Sequence, residues 1–281
     1  RADPVPAREK GDCLMPAALP RIHERPMPAI RDNIVEVRGL SKFYGGFQAL
    51  KEIDLDFPEG ELISLLGPSG CGKTTLLKMI AGLLEPSAGQ VFVKGKAVTG
   101  PGPERAFVFQ DFALMPWATV LRNVAFGLEL RGTPKVERHE TARRYIAEVG
   151  LAGFEERYPH ELSGGMRQRV GLARALAVNA DVLLMDEPFS AVDEQTRRKF
   201  QEDLLHLRRV QRKTFIFVTH SIEEAVYVSD RIVLLSRRPG RVSRIIEPDI
   251  PRDGTPDEIR RDRRYLDTVE DIWDGLKQFV D

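Results

Sequence analysis

Ile34, Val35 and Val37, followed by Ile53-Asp54-Leu55-Asp56-Phe57 in strict alternation, mark strands with one buried and one wet face. Residues 61–66 form a more continuous apolar run that ends in a glycine-rich turn, and an apolar helical stretch follows over 73–84. Strand-like runs recur at 106–109, 182–185, 215–219 and 232–235, the last three separated by helical patterns. Continuous apolar strands alternating with helices predict a parallel sheet covered on both faces, so the fold class is α/β.

Between about 111 and 178 the strand signal disappears. Thr133-Pro134 reads as an N-cap with proline in the first helical position, opening a helix over 136–149. A helical insertion thus interrupts the α/β lobe. Near the end, Thr255-Pro256-Asp257-Glu258 is a capping box. Leu266, Val269, Trp273, Leu276 and Val280 then fall on one stripe, expected to pack on the core or on a neighbouring subunit. Membrane adsorption fits less well, because residues 256–281 hold five basic and eight acidic side chains, a net of −3 that anionic lipid repels.

Composition narrows the class. The chain has 281 residues with 42 Lys+Arg against 42 Asp+Glu, and a sequence-independent nucleic-acid binder would need an excess of cations. Neutrality also holds by segment, with 6 basic and 5 acidic residues in 1–33, 26 and 26 in 34–236, and 10 and 11 in 237–281. Residues 1–33 carry six of the nineteen prolines and no period, and are read as a disordered arm without the apolar region of a signal peptide. No run approaches the ~18 apolar residues that cross a bilayer; the best, 76–84, is short and contains Lys78. The two cysteines, Cys13 and Cys71, lie in segments of different character, which argues for a reducing compartment over a disulfide framework.

The chemistry is concentrated in three places. Gly67-Pro68-Ser69-Gly70-Cys71-Gly72-Lys73-Thr74 matches G-x-x-x-x-G-K-[ST] between a strand and a helix. Such a loop curls backbone N–H groups around phosphate oxygens, the helix N-terminus adds its dipole, Lys73 reaches the β- and γ-phosphates, and the Thr74 hydroxyl binds Mg²⁺. The Cys71 thiol is read as incidental to this chemistry and as open to alkylation without nucleotide. Residues 182–188 are an apolar strand delivering Asp186 and Glu187 at its carboxyl end. Alternating side chains put these two carboxylates on different faces, which suits Asp186 on Mg²⁺ through water and Glu187 as general base. Leu162-Ser163-Gly164-Gly165-Met166 opens a helix with Val170, Ala173, Leu176 and Ala177 on its apolar side, a second anion site or simply an N-cap and turn.

These motifs, with Ser190-Ala191-Val192-Asp193, Gln110 after a strand and His220 after the 215–219 run, occur in the order of one family. Over 34–245 the chain resembles the ATP-binding cassette subunit of membrane transporters, with Met166 where the usual signature has Gln. The resemblance implies a P-loop NTPase (RecA-like) parallel-sheet core with an antiparallel β subdomain and a helical insertion subdomain. A C-terminal helical tail would occupy 246–281. It also implies that Tyr44 stacks on adenine, against the plainer reading of a strand-end tyrosine. Gly67 through Thr74 and Thr75 would hold ATP, and Thr74, Gln110 and Asp186 the Mg²⁺. Glu187 would be the base, Gln110 would touch the ion and water, and His220 would contact the γ-phosphate. Taken alone, His220 is more often a helix-flanking hydrogen-bonder, because Ser221-Ile222-Glu223-Glu224 reads as a capping box.

In such cassettes two copies pair head to tail. Ser163, Gly164 and Gly165 would act on the partner's ATP, and Asp193 would communicate across the interface. Phe112-Ala113-Leu114-Met115-Pro116-Trp117 either docks a helix from a permease or is buried in the helical insertion. Pro101-Gly102-Pro103-Glu104-Arg105, Met115-Pro116-Trp117, the Met166 variant and Arg238-Pro239-Gly240-Arg241 are similar to importers of nitrate, sulfonate, taurine or bicarbonate. The implied partners are a second copy, transmembrane permease subunits and, indirectly, a periplasmic or extracellular substrate-binding protein, with no nucleic acid. The implied location is peripheral, on the cytoplasmic face of the inner membrane. A soluble cassette ATPase in assembly or nucleic-acid handling, and a P-loop kinase or GTPase, are the other classes the sequence allows.

Overall fold

The structure is a computed structural model that describes residues 32–190, 193–211 and 213–279. The predicted arm therefore lies outside the described residues except for its last two positions, as do Cys13, Ala191, Val192 and Val280.

Two sheets carry the molecule. Strands β1 (Asn33–Tyr44) and β2 (Phe47–Pro58) form an antiparallel hairpin, and β4 (Ala88–Val93) and β5 (Lys96–Ala97) complete a four-stranded sheet in the order β2-β1-β4-β5. The alternation read at 53–57 is realised: Ile53, Leu55 and Phe57 are buried while Asp54 and Asp56 face water. The second sheet has six strands in the order β10-β9-β3-β8-β7-β6, formed by β3 (Leu62–Leu66), β6 (Arg105–Val108), β7 (Val182–Asp186), β8 (Thr214–Val218), β9 (Arg231–Leu235) and β10 (Val242–Ile246). The first five of these in chain order are parallel, as their unbroken apolar runs predict, and β10 adds antiparallel to β9 at the edge. Strands β4, β5 and β10 escape sequence reading: β5 and β10 are edge strands, β5 of only two residues, and the first half of β4, Ala88-Gly89-Gln90, is exposed and carries no apolar alternation.

The parallel strands run from β3 into helix α1 (Lys73–Ile80) and from β8 toward α6 (Ile222–Val228), so their carboxyl ends share one rim. Helix α1 stops four residues earlier than predicted. Gly82 at φ +74 turns the chain left-handed, and the Gly82 and Leu83 N–H groups donate back to the Met79 and Lys78 carbonyls.

The insertion contains α2 (Val120–Leu130), α3 (Lys135–Glu148) and α4 (Gly164–Ala177). Thr133 is not the N-cap of α3. That position falls to Pro134, extended at ψ 145, with the helix beginning one residue later. Helix α5 (Glu194–Gln211) precedes β8.

The C-terminal capping box is realised at Thr255 and Glu258, but it opens only the short α7 (Pro256–Arg261). Asp262 caps a new helix, α8 (Arg263–Lys277), and this restart changes the buried face. Tyr265 and Ile272 are buried, with Val269 and Leu276 packed beside them, whereas Leu266 and Trp273 are 52% and 54% exposed. The predicted stripe is thus one residue out of phase at two positions, because Tyr265 and Ile272 satisfy the same spacing one step earlier. Among the described residues no helix is long and apolar enough to cross a membrane.

Candidate functional site

The phosphate loop leaves β3 and turns into α1 at Gly72, the N-cap, at φ +102. A Cβ there would meet Leu50 Cδ2 at 2.6 Å, so only glycine brings the loop this close to β2. Lys73 is buried, 7% exposed, and its ammonium donates to the Gly67 and Pro68 carbonyls at 2.8 and 2.9 Å, which holds its charge at the centre of the loop. The Cys71 thiol lies beside this ammonium, its Sγ accepting from Lys73 Nζ at 3.8 Å. Cys71 is 1% exposed within the apolar layer of Leu50, Leu76 and Leu235, and burial pushes its thiol pKa up. The expectation of an alkylatable thiol is therefore corrected, because the loop points residue 71 into the core and its solvated surface belongs to its neighbours.

One 260 Å³ cleft gathers Tyr44, Ser69, Gly70, Gly72, Lys73, Thr74, Thr75 and Glu187 from the expected set. Phe47, Ala49 and Arg238 complete its lining. Sequence reading missed Phe47 and Arg238 as site residues. Phe47 is discoverable as the first residue of β2 after the Gly45-Gly46 turn from Tyr44. Arg238 is brought in from far along the chain. Tyr44 is 47% exposed, with the Lys42 ammonium 5.4 Å from its ring centroid.

Strand β7 places Asp186 beneath the loop, where its Oδ1 accepts from the Thr74 hydroxyl at 2.7 Å. Burial raises the Asp186 pKa, while the Thr74 hydrogen bond acts in the opposite direction. A hydroxyl and a buried carboxylate side by side, both hard oxygen donors, fit Mg²⁺, which a phosphate chain would ligate from the other side. A cation there would also offset the desolvation of Asp186.

Glu187 lies past the strand end in a left-handed conformation, φ +48, and its amide donates to the Val218 carbonyl. The two carboxylates have different partners, Asp186 the Thr74 hydroxyl and Glu187 the groups after β6 and β8, and because Glu187 lies outside β7 its direction is set by this backbone turn and not by strand alternation. Glu187 Oε2 accepts from Gln110 Nε2 at 3.2 Å and lies 3.6 Å from His220 Nδ1. Three residues expected around a γ-phosphate thus converge from the ends of β6, β7 and β8. An oriented, partly exposed carboxylate beside a phosphate loop can take a proton from water.

The loop bearing His220 is tied down from below. Ser221 caps α6 by accepting from the Glu224 amide, but the Glu224 carboxylate does not close a capping box. It accepts from the Thr219 hydroxyl at 2.5 Å, and the Ser221 amide donates to that same Thr219 oxygen. Arg197 Nε of α5 is 3.6 Å from the other Glu224 oxygen. Burial raises the Glu224 pKa.

Ser163 and Gly165 line a different cleft, of 420 Å³, with Met166, Arg169, Gln195, Thr196 and Lys199. Ser163 is the N-cap of α4 and accepts from the Met166 amide at 3.3 Å; Gly164 is its first residue. Asp193 accepts from the amide and hydroxyl of Thr196, and these bonds hold its pKa below the usual carboxylate value. Within one chain, then, the glycine-rich helix start does not line the cleft of the phosphate loop.

The apolar stretch after Gln110 divides between its two readings. Phe112 is buried, Leu114 packs on the core, and Trp117 is 73% exposed. Phe112 and Ala113 both have positive φ, and Arg174 donates to both of their carbonyls at 2.6 and 2.7 Å. The buried Asn123 fixes the following loop through bonds to Met115, Ala118 and Thr119.

Fold and site together define a P-loop NTPase with a helical insertion. The chain belongs to the ABC transporter family, whose model matches residues 50–190. An uncharacterised ABC transporter ATP-binding protein of Methanocaldococcus jannaschii is 49% identical over 87% of this chain and 93% of its own length. A taurine import ATP-binding protein of Pseudomonas syringae pv. tomato is 46% identical over 85% of this chain and 94% of that one. A solved dimeric ATP-binding cassette in a post-hydrolysis state, bound to ADP and Pi, superposes with a TM-score of 0.67 at 34% identity, covering 76% of this chain and 98% of that one.

Proposed function

We propose that this chain hydrolyses ATP to energise a membrane importer for a small anion such as taurine, another sulfonate, nitrate or bicarbonate. The observation that carries the reading is the convergence of Gln110, Glu187 and His220 at the cleft of Lys73 and Thr74, with Ser163 and Gly165 on a separate cleft. Such a chain supplies two half-sites, and head-to-tail pairing with a second copy brings each phosphate loop to the other's Ser163 helix. Taurine import proteins among the relatives support the cargo class.

Gly67 through Thr75 hold the phosphates and Tyr44 stacks on the adenine. Thr74, Asp186 through water, and Gln110 would hold Mg²⁺, which would supply charge neutralisation at the phosphates. Glu187, oriented by Gln110, accepts a proton from the attacking water as its oxygen bonds to the γ-phosphorus and the bridging bond to ADP breaks. His220 holds the γ-phosphate. Ser163, Gly164 and Gly165 hold the phosphates of the partner's ATP, and Asp193, capping α5 beside that cleft, relays the state of the interface. ATP therefore favours the closed dimer, and hydrolysis releases it.

Trp117, exposed on a loop pinned by Asn123 a few residues after Gln110, is the docking point for a permease helix. The subunit then sits peripherally on the cytoplasmic face of the membrane, with a substrate-binding protein acting on the far side. Co-expression with the permease of a taurine-type importer tests this. The complex should survive detergent extraction and drive ATP-dependent uptake in vesicles, and Trp117→Ala should weaken both. A chain that stays in the soluble fraction, hydrolyses ATP and retains nucleic acid would support the soluble-ATPase alternative.

A further inference from the structure

Strand β9 runs parallel to β3, the strand that feeds the phosphate loop, with Leu234 paired to Leu66. The turn that follows therefore emerges at the same rim as the loop. The turn is closed by Ser236 and Arg241, whose backbone and side chain bond to each other, and it is sewn to β2 by Gly240. The Gly240 amide donates to the Ala49 carbonyl at 2.9 Å, and its carbonyl accepts from Lys51 at 3.0 Å.

This frame carries Arg238 into the nucleotide cleft. Its guanidinium carbon lies 4.2 Å from the Phe47 ring centroid, and Nη2 donates to the Gly70 carbonyl at 3.3 Å. The side chain thus bridges the aromatic wall that includes Tyr44 and the phosphate loop itself. Its contacts are a π face and one carbonyl, so among the described residues its charge is met by no carboxylate. A planar cation held this way beside a polyphosphate loop is arranged for charge-assisted hydrogen bonds to phosphate oxygens.

We propose that Arg238 is a nucleotide-binding residue, pre-placed by Phe47 and Gly70 to pair with the α/β-phosphate end of the nucleotide in its own chain's cleft. This rests on the proposal that the cleft holds ATP. It adds a contact from the turn after β9 that the phosphate loop alone does not supply. Because the α- and β-phosphates are present in both ATP and ADP, Arg238 strengthens both and acts on affinity, leaving the chemistry at Glu187 untouched.

The experiment is calorimetric titration of the full chain with ADP and Mg²⁺, with Arg238→Ala, Arg238→Lys and Phe47→Leu compared with the parent. Arg238→Ala should raise the ADP dissociation constant by about tenfold to a hundredfold, the range for hydrogen bonds to a charged group. Arg238→Lys should recover much of the loss, and Phe47→Leu should give a smaller one. In turnover assays Arg238→Ala should raise KM with kcat kept. Tripolyphosphate, competing with a fluorescent ADP analogue, should be weakened in parallel with ADP. Unchanged ADP affinity in Arg238→Ala would overturn the proposal. So would equal loss in the Ala and Lys variants accompanied by a fall in melting temperature, which marks a structural latch. Tripolyphosphate displacement that stays at the parent level while ADP weakens would move the contact to the base and overturn it too. A parent chain that binds neither ADP nor ATP would instead refute the underlying reading of the cleft.

Discussion

Ser163→Ala separates a helix cap from a contact across the dimer. In the single chain the exposed Ser163 hydroxyl accepts one hydrogen bond, from the Met166 amide at 3.3 Å. Losing such a cap costs ~0.5–2 kcal/mol, and the long contact places this one at the lower end. At a partner's γ-phosphate the same hydroxyl would make a charge-assisted bond, worth about 1.5–3 kcal/mol. A two-fold dimer repeats the contact, so dimerisation should weaken by ~3–6 kcal/mol, or about two to four decades in dissociation constant. Urea denaturation of the nucleotide-free chain reads the first quantity, and ATP turnover against protein concentration reads the second. The expected result is a small shift in the unfolding midpoint with at least about a hundredfold rise in the protein concentration for half-maximal turnover. A turnover curve displaced no further than the lost cap explains would refute the trans role and leave Ser163 an ordinary N-cap.

Tyr44→Ala should raise KM for ATP by ~5- to 150-fold, the equivalent of base–aromatic stacking at about 1–3 kcal/mol, with kcat little changed; a KM unmoved in steady-state assays would remove Tyr44 from the adenine site. In a Cys13→Ser background, Cys71 should react with a thiol reagent only as the chain unfolds, and rapid labelling of the native chain would contradict its burial at 1% exposure. Burial raises the Glu224 pKa above its ordinary 4.5, so folding takes up a proton there. The stability it contributes is fully present below 4.5 and is lost as pH rises through the folded value. Urea titrations should therefore show Glu224→Gln gaining on the parent as pH rises from about 4.5 toward neutrality; a difference that is flat or falls with pH would count against it.

The phosphate loop, the Asp186-Glu187 strand end and the parallel strands were legible because each depends on local pattern. A continuous apolar run ending in Gly-rich or acidic residues dictates both the strand and what it delivers. Side-chain direction within a loop was not legible, and Cys71 shows why: the glycines that let the loop curl also let residue 71 face the core. Phe112 and Trp117 likewise part because two successive left-handed residues are clamped by Arg174, a contact 61 and 62 positions away. The C-terminal stripe slipped by one residue because Asp262 restarts the helix, and spacing alone does not choose between Leu266/Trp273 and Tyr265/Ile272. Arg238 entered the cleft through the β9–β3 register, which no local string encodes.

In the proposed cycle ATP binding joins two chains and hydrolysis at Glu187 parts them. Glu187→Gln keeps the side-chain size but removes the base held beside Gln110 and His220. With ATP and Mg²⁺ on size exclusion, this variant should abolish hydrolysis and run as a dimer that reverts to monomer when ATP is withdrawn. A Glu187→Gln chain that binds ATP yet stays monomeric at every protein concentration would rule out ATP-driven pairing.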